Sequence, residues 1–246
     1  MMQYIRSLIF NIVFFIWMTF ISISCVLAGL IWGYKGVNRV GEFCSAGVEK
    51  LLQVIIGTTT EFRGHEHIPK DGKFLVACKH QSAWETISLH RFVKDPTVIM
   101  KKELLYVPLF GLVVKLAGSI LIDRKKGKLV LRQMIEGAKK SLENNRPIFI
   151  FPEGTRGVPG KPGRYRRGIF SLYEALNVPV LPIALNSGCF WPRRGFLKTK
   201  GHIVVEYLAP IMPGLNEKDF MAKLETALED ASLKLVPQSH LKDKEI

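Results

Sequence analysis

An uncharged apolar run over residues 7–32 constrains this chain more than any other feature of its sequence. The run is longer than the roughly 20 residues that a helix needs to cross a hydrocarbon core. It is also too long for the apolar part of a secretory signal peptide, and no convincing small-residue cleavage site follows it. We therefore predict a membrane-anchoring segment over residues 1–57. Because residues 48–56 form a second apolar stretch, both a spanning helix and a helical hairpin within one leaflet stay open.

The charges around this segment predict its orientation. Arg6 stands alone before the run, whereas Lys35, Arg39 and Lys50 follow it. Positive charge tends to stay on the cytoplasmic side of a membrane. We therefore expect the domain that follows to face the cytoplasm, at a bacterial inner membrane.

The net charge of the whole chain points to an anionic partner. The formal charge is +14, from 35 Lys and Arg against 21 Asp and Glu. Nucleic acid, an acidic membrane surface and phosphorylated substrates all fit such a charge. No aromatic and basic recognition motif accompanies it, so we expect no nucleic-acid partner.

From about Thr58 the sequence alternates short apolar runs with stretches of helical periodicity. This alternation predicts an α/β fold, with a largely parallel sheet flanked by helices, over residues 58–246. The length of the chain allows one such domain besides the anchor. The predicted strands are 74–78, 97–100, 119–122, 148–151, 180–185 and 203–207. The predicted helices are 82–92, 128–143, 168–176 and 217–236.

The possible metal ligands form no convincing site. Four cysteines, at positions 25, 44, 78 and 189, are scattered without a C-x-x-C pair, which argues against both zinc and a disulfide framework. His65 and His67 are two residues apart on one predicted strand and would supply two ligands at most. We expect no metal, and the free cysteines fit a reducing cytoplasm.

The first group of residues suited to catalysis follows the predicted strand 74–78 and includes His80 and Glu85. Open α/β sheets bind ligands at such strand ends. Histidine can take a proton from a hydroxyl near neutral pH, and a carboxylate can fix its tautomer. Ser82 is a natural N-cap, which would leave His80 in the preceding turn, within reach of Glu85. The alternative is structural: Ser82 and Glu85 would only form a capping box.

The second group is F-P-E-G-T-R at residues 151–156, directly after the predicted strand 148–151. It can be an ordinary turn, since Pro and Gly are common where strands end. The functional alternative is a loop whose backbone approaches a substrate. In that case Arg156 would present its guanidinium to a phosphate.

Together the two groups resemble the glycerolipid acyltransferase family, which includes the 1-acylglycerol-3-phosphate acyltransferases. Its first motif, N-H-x-x-x-x-D, is matched by Lys79, His80 and Glu85, and its third, F-P-E-G-T-R, is matched letter for letter. Residues 118–124 and 178–184 are similar to its second and fourth motifs. Residues 101–111 are similar to the segment between motifs one and two. The resemblance extends from about Gly64 to Leu208, with Glu85 in place of the usual Asp and Lys79 in place of the common Asn.

The resemblance implies a reaction and a set of site residues. A fatty acyl group would pass from acyl-CoA or acyl carrier protein to the free hydroxyl of a lysophospholipid, above all 1-acylglycerol-3-phosphate, giving phosphatidic acid. His80 would be the general base and Glu85 would orient it, with no cofactor besides the acyl donor. The implied substrate-binding residues are Arg124, Glu153, Gly154, Thr155 and Arg156.

Other functions stay possible at this point. The acceptor can be another lysolipid, such as a lyso-aminolipid, or the protein can bind membrane lipids without turnover. The four polar residues His80, Glu85, Glu153 and Arg156 argue against the second alternative. A serine hydrolase is not expected, because the sequence contains no G-x-S-x-G.

Overall fold

A computed structural model describes residues 1–123 and 128–242 of the chain. Its strands are β1 (Thr58–Arg63), β2 (Leu75–Cys78), β3 (Thr97–Lys101), β4 (Ile120–Ile122), β5 (Ile148–Ile150), β6 (Val180–Leu185) and β7 (Gly201–Tyr207). They form one sheet in the order β1-β7-β6-β2-β5-β3-β4. Neighbouring strands are parallel except β6 and β7, which are antiparallel. The predicted α/β fold with a largely parallel sheet is confirmed.

Eight α-helices are described besides short 3₁₀ turns and one π-helical turn, Leu52–Ile56. They are α1 (Met2–Leu51), α2 (Trp84–Ile87), α3 (Phe110–Leu116), α4 (Lys128–Glu143), α5 (Gly168–Leu176), α6 (Ser187–Phe190), α7 (Glu217–Leu235) and α8 (Gln238–Lys242). The single helix predicted over 82–92 is wrong, because α2 ends at Ile87 and a 3₁₀ turn, Leu89–Arg91, follows. β-Branched residues and Ser88, whose hydroxyl competes for backbone hydrogen bonds, disfavour one continuous helix.

Helix α1 is a hairpin of two antiparallel halves rather than one straight helix. Gly33 has φ 61° and ψ −148°, a conformation open only to glycine, and it separates residues 2–32 from 34–51. The halves pack closely: the indole N–H of Trp17 donates to the carbonyl of Cys44 at 3.4 Å. A Cβ at Gly36 would overlap the Ala28 carbonyl. The structure thus has a helical hairpin, and its second half is residues 34–51 rather than the apolar stretch 48–56.

The hairpin is docked on the sheet domain by both of its halves. Ser7 accepts a hydrogen bond from the backbone N–H of Lys198 at 3.0 Å, and Ser45 donates to the carbonyl of Ile87 at 2.9 Å. Its outward face exposes large apolar side chains, including Phe15, Ile16, Phe20, Leu27, Leu30, Ile31 and Trp32. By length and apolarity Met2–Ile56 is a candidate membrane span. Such a face is suited to contact with lipid.

Both faces of the sheet are covered, which explains the nearly continuous apolar character of its central strands. Val76 and Cys78 face a core cluster that includes the hairpin, whereas Leu75 and Ala77 face one built with α4, α5 and α7. Because β2, β3, β5 and β6 run in one direction, their carboxyl ends meet at one edge of the sheet. The candidate site lies at that edge.

Candidate active site

His80 and the loop at residues 151–156 lie at the same edge because they follow the parallel neighbours β2 and β5. Between them is a cavity of about 300 Å³. Its polar lining comes from His80, Thr86, Lys101, Gly154, Thr155, Arg156, Arg193 and Arg194. The apolar part of the lining comes from Val98, Ile99, Met100, Leu104 and Phe151.

The imidazole of His80 is oriented by the carboxylate of Glu85. His80 Nδ1 lies 2.9 Å from Glu85 Oε1. A carboxylate can only accept, so Nδ1 carries the proton and the neutral ring has its lone pair on Nε2. This is the tautomer that a general base acting through Nε2 requires.

Glu85 itself is held by several donors. Its side chain is 0% exposed. Oε1 also accepts from the backbone N–H groups of Gln81 and Ser82, at 2.7 and 2.6 Å. Oε2 accepts from the hydroxyl of Ser187 at 2.8 Å. A buried charge is tolerated when it is so fully hydrogen-bonded, and it cannot rotate away from His80.

The predicted N-cap is displaced by one residue. Helix α2 begins at Trp84, so Ala83 occupies the N-cap position and makes no side-chain bond there. The Ser82 hydroxyl instead accepts from the N–H of Trp84 at 3.1 Å. Glu85 nevertheless reaches back to the N–H of Ser82, as in a capping box. The structural and orienting alternatives for Glu85 are therefore compatible, because one carboxylate makes both sets of bonds.

Phe151 supports His80 from the side of the second motif. The two rings stack with centroids 4.0 Å apart and planes inclined by 21°. The backbone N–H of Gly157 also donates to the His80 carbonyl at 2.7 Å. These contacts join the two motifs into one unit. The sequence indicated nothing about Phe151 beyond its place at the start of F-P-E-G-T-R.

Glu153, expected to bind substrate, is not among the side chains that line the cavity. It is buried, and its Oε1 lies 2.7 Å from Lys79 Nζ. The same ammonium donates to Glu229 of α7 at 2.7 Å. Burial raises the pKa of the Glu153 carboxyl, and the charge of Lys79 lowers it in part. Lys79, directly after β2, thus ties Glu153 of the loop at 151–156 to Glu229 of α7.

The other expected substrate residues of this loop do line the cavity. Gly154 has φ 69°, a left-handed conformation that favours glycine. Thr155 and Arg156 follow it at the cavity wall. Arg124 lies outside the described residues.

Two further arginines at the cavity were not anticipated from the sequence. Arg193 and Arg194 follow α6, and Arg193 Nη1 donates to the carbonyl of Arg156 at 2.9 Å. The signal that could have found them is the Pro192-Arg193-Arg194 sequence shortly after the block resembling the fourth motif. The described lining therefore carries four cationic side chains, counting Lys101 and Arg156, and no carboxylate. Such a cavity favours an anion.

A second cavity, of about 380 Å³ and mainly apolar, lies between the hairpin and the sheet domain. It shares Thr86, Val98, Met100, Leu104 and Arg156 with the first cavity. The hairpin contributes Met18, Ile21, Cys25 and Val37 among other residues. A long apolar group can therefore extend from the neighbourhood of His80 towards the hairpin.

Residues 59–186, more than half of the chain, match the family model described as Acyltransferase. The chain belongs to the acyltransferase family. It is 41% identical over 155 residues to the 1-acyl-sn-glycerol-3-phosphate acyltransferase of Pseudomonas aeruginosa, covering 63% of this chain and 60% of that relative. It is 32% identical over 174 residues to the human 1-acyl-sn-glycerol-3-phosphate acyltransferase alpha, covering 70% and 62%. The match thus spans about 60% of the length of these curated relatives.

The fold of this chain is shared with a solved structure. The 1-acyl-sn-glycerophosphate acyltransferase PlsC of Thermotoga maritima superimposes with a TM-score of 0.79, over 95% of this chain and 97% of that one. The sequences are 23% identical. The family resemblance seen in the motifs is confirmed. Because the superposition covers nearly the whole chain, the structural similarity includes the N-terminal hairpin.

The histidines considered as metal ligands do not line the cavity. His65–His67 is a 3₁₀ turn, not part of a strand as predicted, because β1 ends at Arg63 and Gly64 is left-handed. His67 Nδ1 lies 2.9 Å from the Tyr207 carbonyl. Over residues 1–123 and 128–242, no three His, Cys, Asp or Glu side chains come together in a way that could hold a metal ion.

Proposed function

We propose that this acyltransferase moves a fatty acyl group from the thioester of acyl-CoA or acyl carrier protein to the free hydroxyl of a lysophospholipid. The acceptor we propose is 1-acylglycerol-3-phosphate, and the product is phosphatidic acid. One observation carries the proposal: the oriented pair of His80 and Glu85 lies in a cationic cavity that adjoins an apolar one. The names of the curated relatives support the same acceptor.

In the proposed mechanism His80 Nε2 takes the proton of the acceptor hydroxyl as its oxygen attacks the thioester carbonyl. The C–S bond then breaks, and the imidazolium returns the proton to the departing thiolate. Glu85 keeps the ring in the required tautomer and balances the positive charge of the imidazolium. The acyl group passes directly between the substrates, and no cofactor takes part besides the acyl donor.

Each part of the acceptor has a place in the proposed complex. Its phosphate would contact Arg156, in the loop after β5, and Lys101, the last residue of the neighbouring strand β3. A guanidinium and an ammonium together can balance a phosphate monoester. A fatty chain would lie in the apolar cavity beside the hairpin, since that cavity adjoins the phosphate-binding side chains through Arg156 and Leu104.

The function is tested by offering the purified protein acyl-CoA and acyl carrier protein thioesters in turn. Three acceptors are compared: lysophosphatidate, lysophosphatidylcholine and a lyso-aminolipid without phosphate. We expect the highest kcat/KM with lysophosphatidate. Preference for the aminolipid would make the phosphate assignment wrong. Lipid binding with no transfer from either donor would indicate the non-catalytic alternative.

Arg156→Ala is expected to lower kcat/KM for lysophosphatidate about 10-fold. The variant removes charged hydrogen bonds worth about 1.5–3 kcal/mol, and we expect the lower end because Lys101 stays in place. Stability should change little, since the side chain lies at the cavity wall. The measurement is steady-state kinetics with lysophosphatidate and with a phosphate-free lysolipid. An equal loss with both acceptors would contradict a phosphate role.

We further propose that the hairpin anchors the enzyme in one leaflet, with the catalytic domain and both termini in the cytoplasm. The first turns of α1 pack on the catalytic domain at Lys198, which leaves them on the same side of the membrane as that domain. Carbonate or high salt should therefore leave the protein in the membrane fraction. Reporters that fluoresce only in the cytoplasm should be active at either terminus. Release by carbonate alone would contradict the anchor, and a silent N-terminal reporter would contradict the single-leaflet geometry.

A further inference from the structure

The four cations at the cavity come from segments associated with strands on both sides of β2, the strand that leads to His80. In the sheet β2 lies between β6 and β5, and His80 follows β2. Arg156 lies in the loop after β5, and Lys101 is the last residue of the neighbouring strand β3. Arg193 and Arg194 come after β6 and α6. In the sheet, the strand that leads to His80 therefore lies between the strands that lead to the two cationic pairs.

The segment that carries Arg193 and Arg194 is held in place by its neighbours. Trp191 packs edge-on against Phe10 of the hairpin, with ring centroids 5.2 Å apart. Lys198 is hydrogen-bonded to Ser7. Between these two attachments Arg194 has φ 58°, a left-handed conformation that costs energy for any residue except glycine. Such a turn persists only when its surroundings enforce it, and here it presents two exposed guanidinium groups at the cavity.

The cavity has more positive charge than the phosphate of the acceptor needs for charge balance. A lysophosphatidate carries one phosphate, which Arg156 and Lys101 can balance. No described lining residue supplies a carboxylate to Arg193 or Arg194. Direct transfer brings a second substrate, the acyl donor, to His80. In both candidate donors the acyl thioester ends a phosphopantetheine arm, and that arm carries a phosphate.

We propose that Arg193 and Arg194 bind the phosphate of the phosphopantetheine arm of the acyl donor. This inference rests on the proposed acyl transfer and adds the donor subsite to it. In this arrangement the acceptor phosphate contacts Arg156 and Lys101, and the donor phosphate contacts Arg193 and Arg194. The hydrogen bond from Arg193 to the carbonyl of Arg156 links the two subsites.

The test is the double variant R193Q/R194Q, assayed with three thioesters of one fatty acid: acyl-CoA, acyl carrier protein and acyl-pantetheine, which lacks the phosphate. We expect the KM for at least one phosphate-bearing donor to rise about 10-fold or more, because guanidinium–phosphate bonds are lost. Turnover of acyl-pantetheine and the KM for the acceptor should stay unchanged. Whether CoA, the carrier protein or both lose affinity identifies the source of the phosphate.

The matched control is K218Q/K223Q, which removes two exposed charges from α7. It should leave the KM of every donor unchanged. The inference is wrong if R193Q/R194Q weakens acyl-pantetheine as much as the phosphate-bearing donors, or if only the acceptor KM rises. It is also wrong if donor kinetics are unchanged and binding to anionic vesicles falls, since the arginines would then contact lipid headgroups.

Failure of the proposed function gives a different pattern. In that case neither the wild-type protein nor K218Q/K223Q acylates any lysolipid. Calorimetric titration with CoA and with the carrier protein bearing its phosphopantetheine arm measures the arginine subsite without turnover. Weaker binding by R193Q/R194Q supports the inference, and equal binding overturns it.

Discussion

His80→Ala is expected to lower kcat for lysolipid acylation by about 10³-fold while the protein stays folded. The variant removes the only proton acceptor that the described residues place against both Glu85 and the cationic cavity. The attacking hydroxyl would have to lose its proton to water, and the leaving thiolate would gain none from the enzyme. Binding of both substrates should persist, because the expected phosphate ligands come from other segments of the chain.

The measurement is single-turnover kinetics with labelled acyl donor, which separates chemistry from binding and product release. The control is His202→Ala, which removes an exposed imidazole from β7, away from the cavity. Melting temperatures of both variants should stay near that of the wild type. If His80→Ala retained a tenth of wild-type activity, a different group would have to be the base.

The strands that could be predicted are those buried on both faces. Residues of β2, β5 and β6 read as apolar runs because helices or the hairpin cover each side of the sheet. Strand β1, which begins Thr58-Thr59-Thr60, gave no such run, since it is an edge strand paired only with β7. The order of the strands depends on contacts between distant residues, which local patterns do not contain.

The site shows the same division between local and distant contacts. The proximity of His80 and Glu85 was predictable because both lie in one turn. Ser187, which donates to Glu85, is 102 residues further along the chain. The position of Glu153 depends on Lys79 and on Glu229 of α7. The presence of Glu153 in the motif could not by itself show that its carboxylate turns away from the cavity.

For a similar reason, the sequence could not distinguish a single spanning helix from a hairpin. Hydropathy is alike for a single span and for a bent anchor, because both need a long apolar run. The bend in the structure rests on Gly33, whose conformation breaks the helix, and on Ser7, which holds the first turns against the sheet domain. Glycines are common within apolar helices. The presence of Gly33 in the sequence therefore could not show that the helix bends there or that its first turns contact the sheet domain.

Glu85→Gln is expected to lower kcat about 10²-fold and to leave the melting temperature nearly unchanged. The amide can replace the carboxylate atom for atom. Its oxygen would accept from His80 and from the N–H groups of Gln81 and Ser82, and its NH₂ would donate to the Ser187 hydroxyl, which can also accept. The opposite orientation would direct the NH₂ at two backbone donors, so it is disfavoured.

The tautomer of His80 is therefore preserved in Glu85→Gln, and only the negative charge is lost. In serine proteases the comparable change costs about 10⁴-fold, because the amide there selects the wrong tautomer. We expect a smaller loss here, since the two backbone N–H groups fix the amide. The missing charge leaves the imidazolium unbalanced as the hydroxyl is deprotonated, so the deficit should appear in kcat rather than in KM.

Ser82→Ala and Glu85→Ala complete the test. Ser82→Ala removes the acceptor for the Trp84 N–H and should cost about 1 kcal/mol of stability with most of the turnover retained. Glu85→Ala should lose both stability and turnover, because it leaves buried backbone donors unpaired and frees the imidazole. Glu85→Asp restores the family's usual residue on a shorter side chain and should keep partial activity. Full turnover in Glu85→Gln, together with the same stability defect in both alanine variants, would mean that Glu85 only caps the helix. The orientation of His80 would then depend on the stacked ring of Phe151.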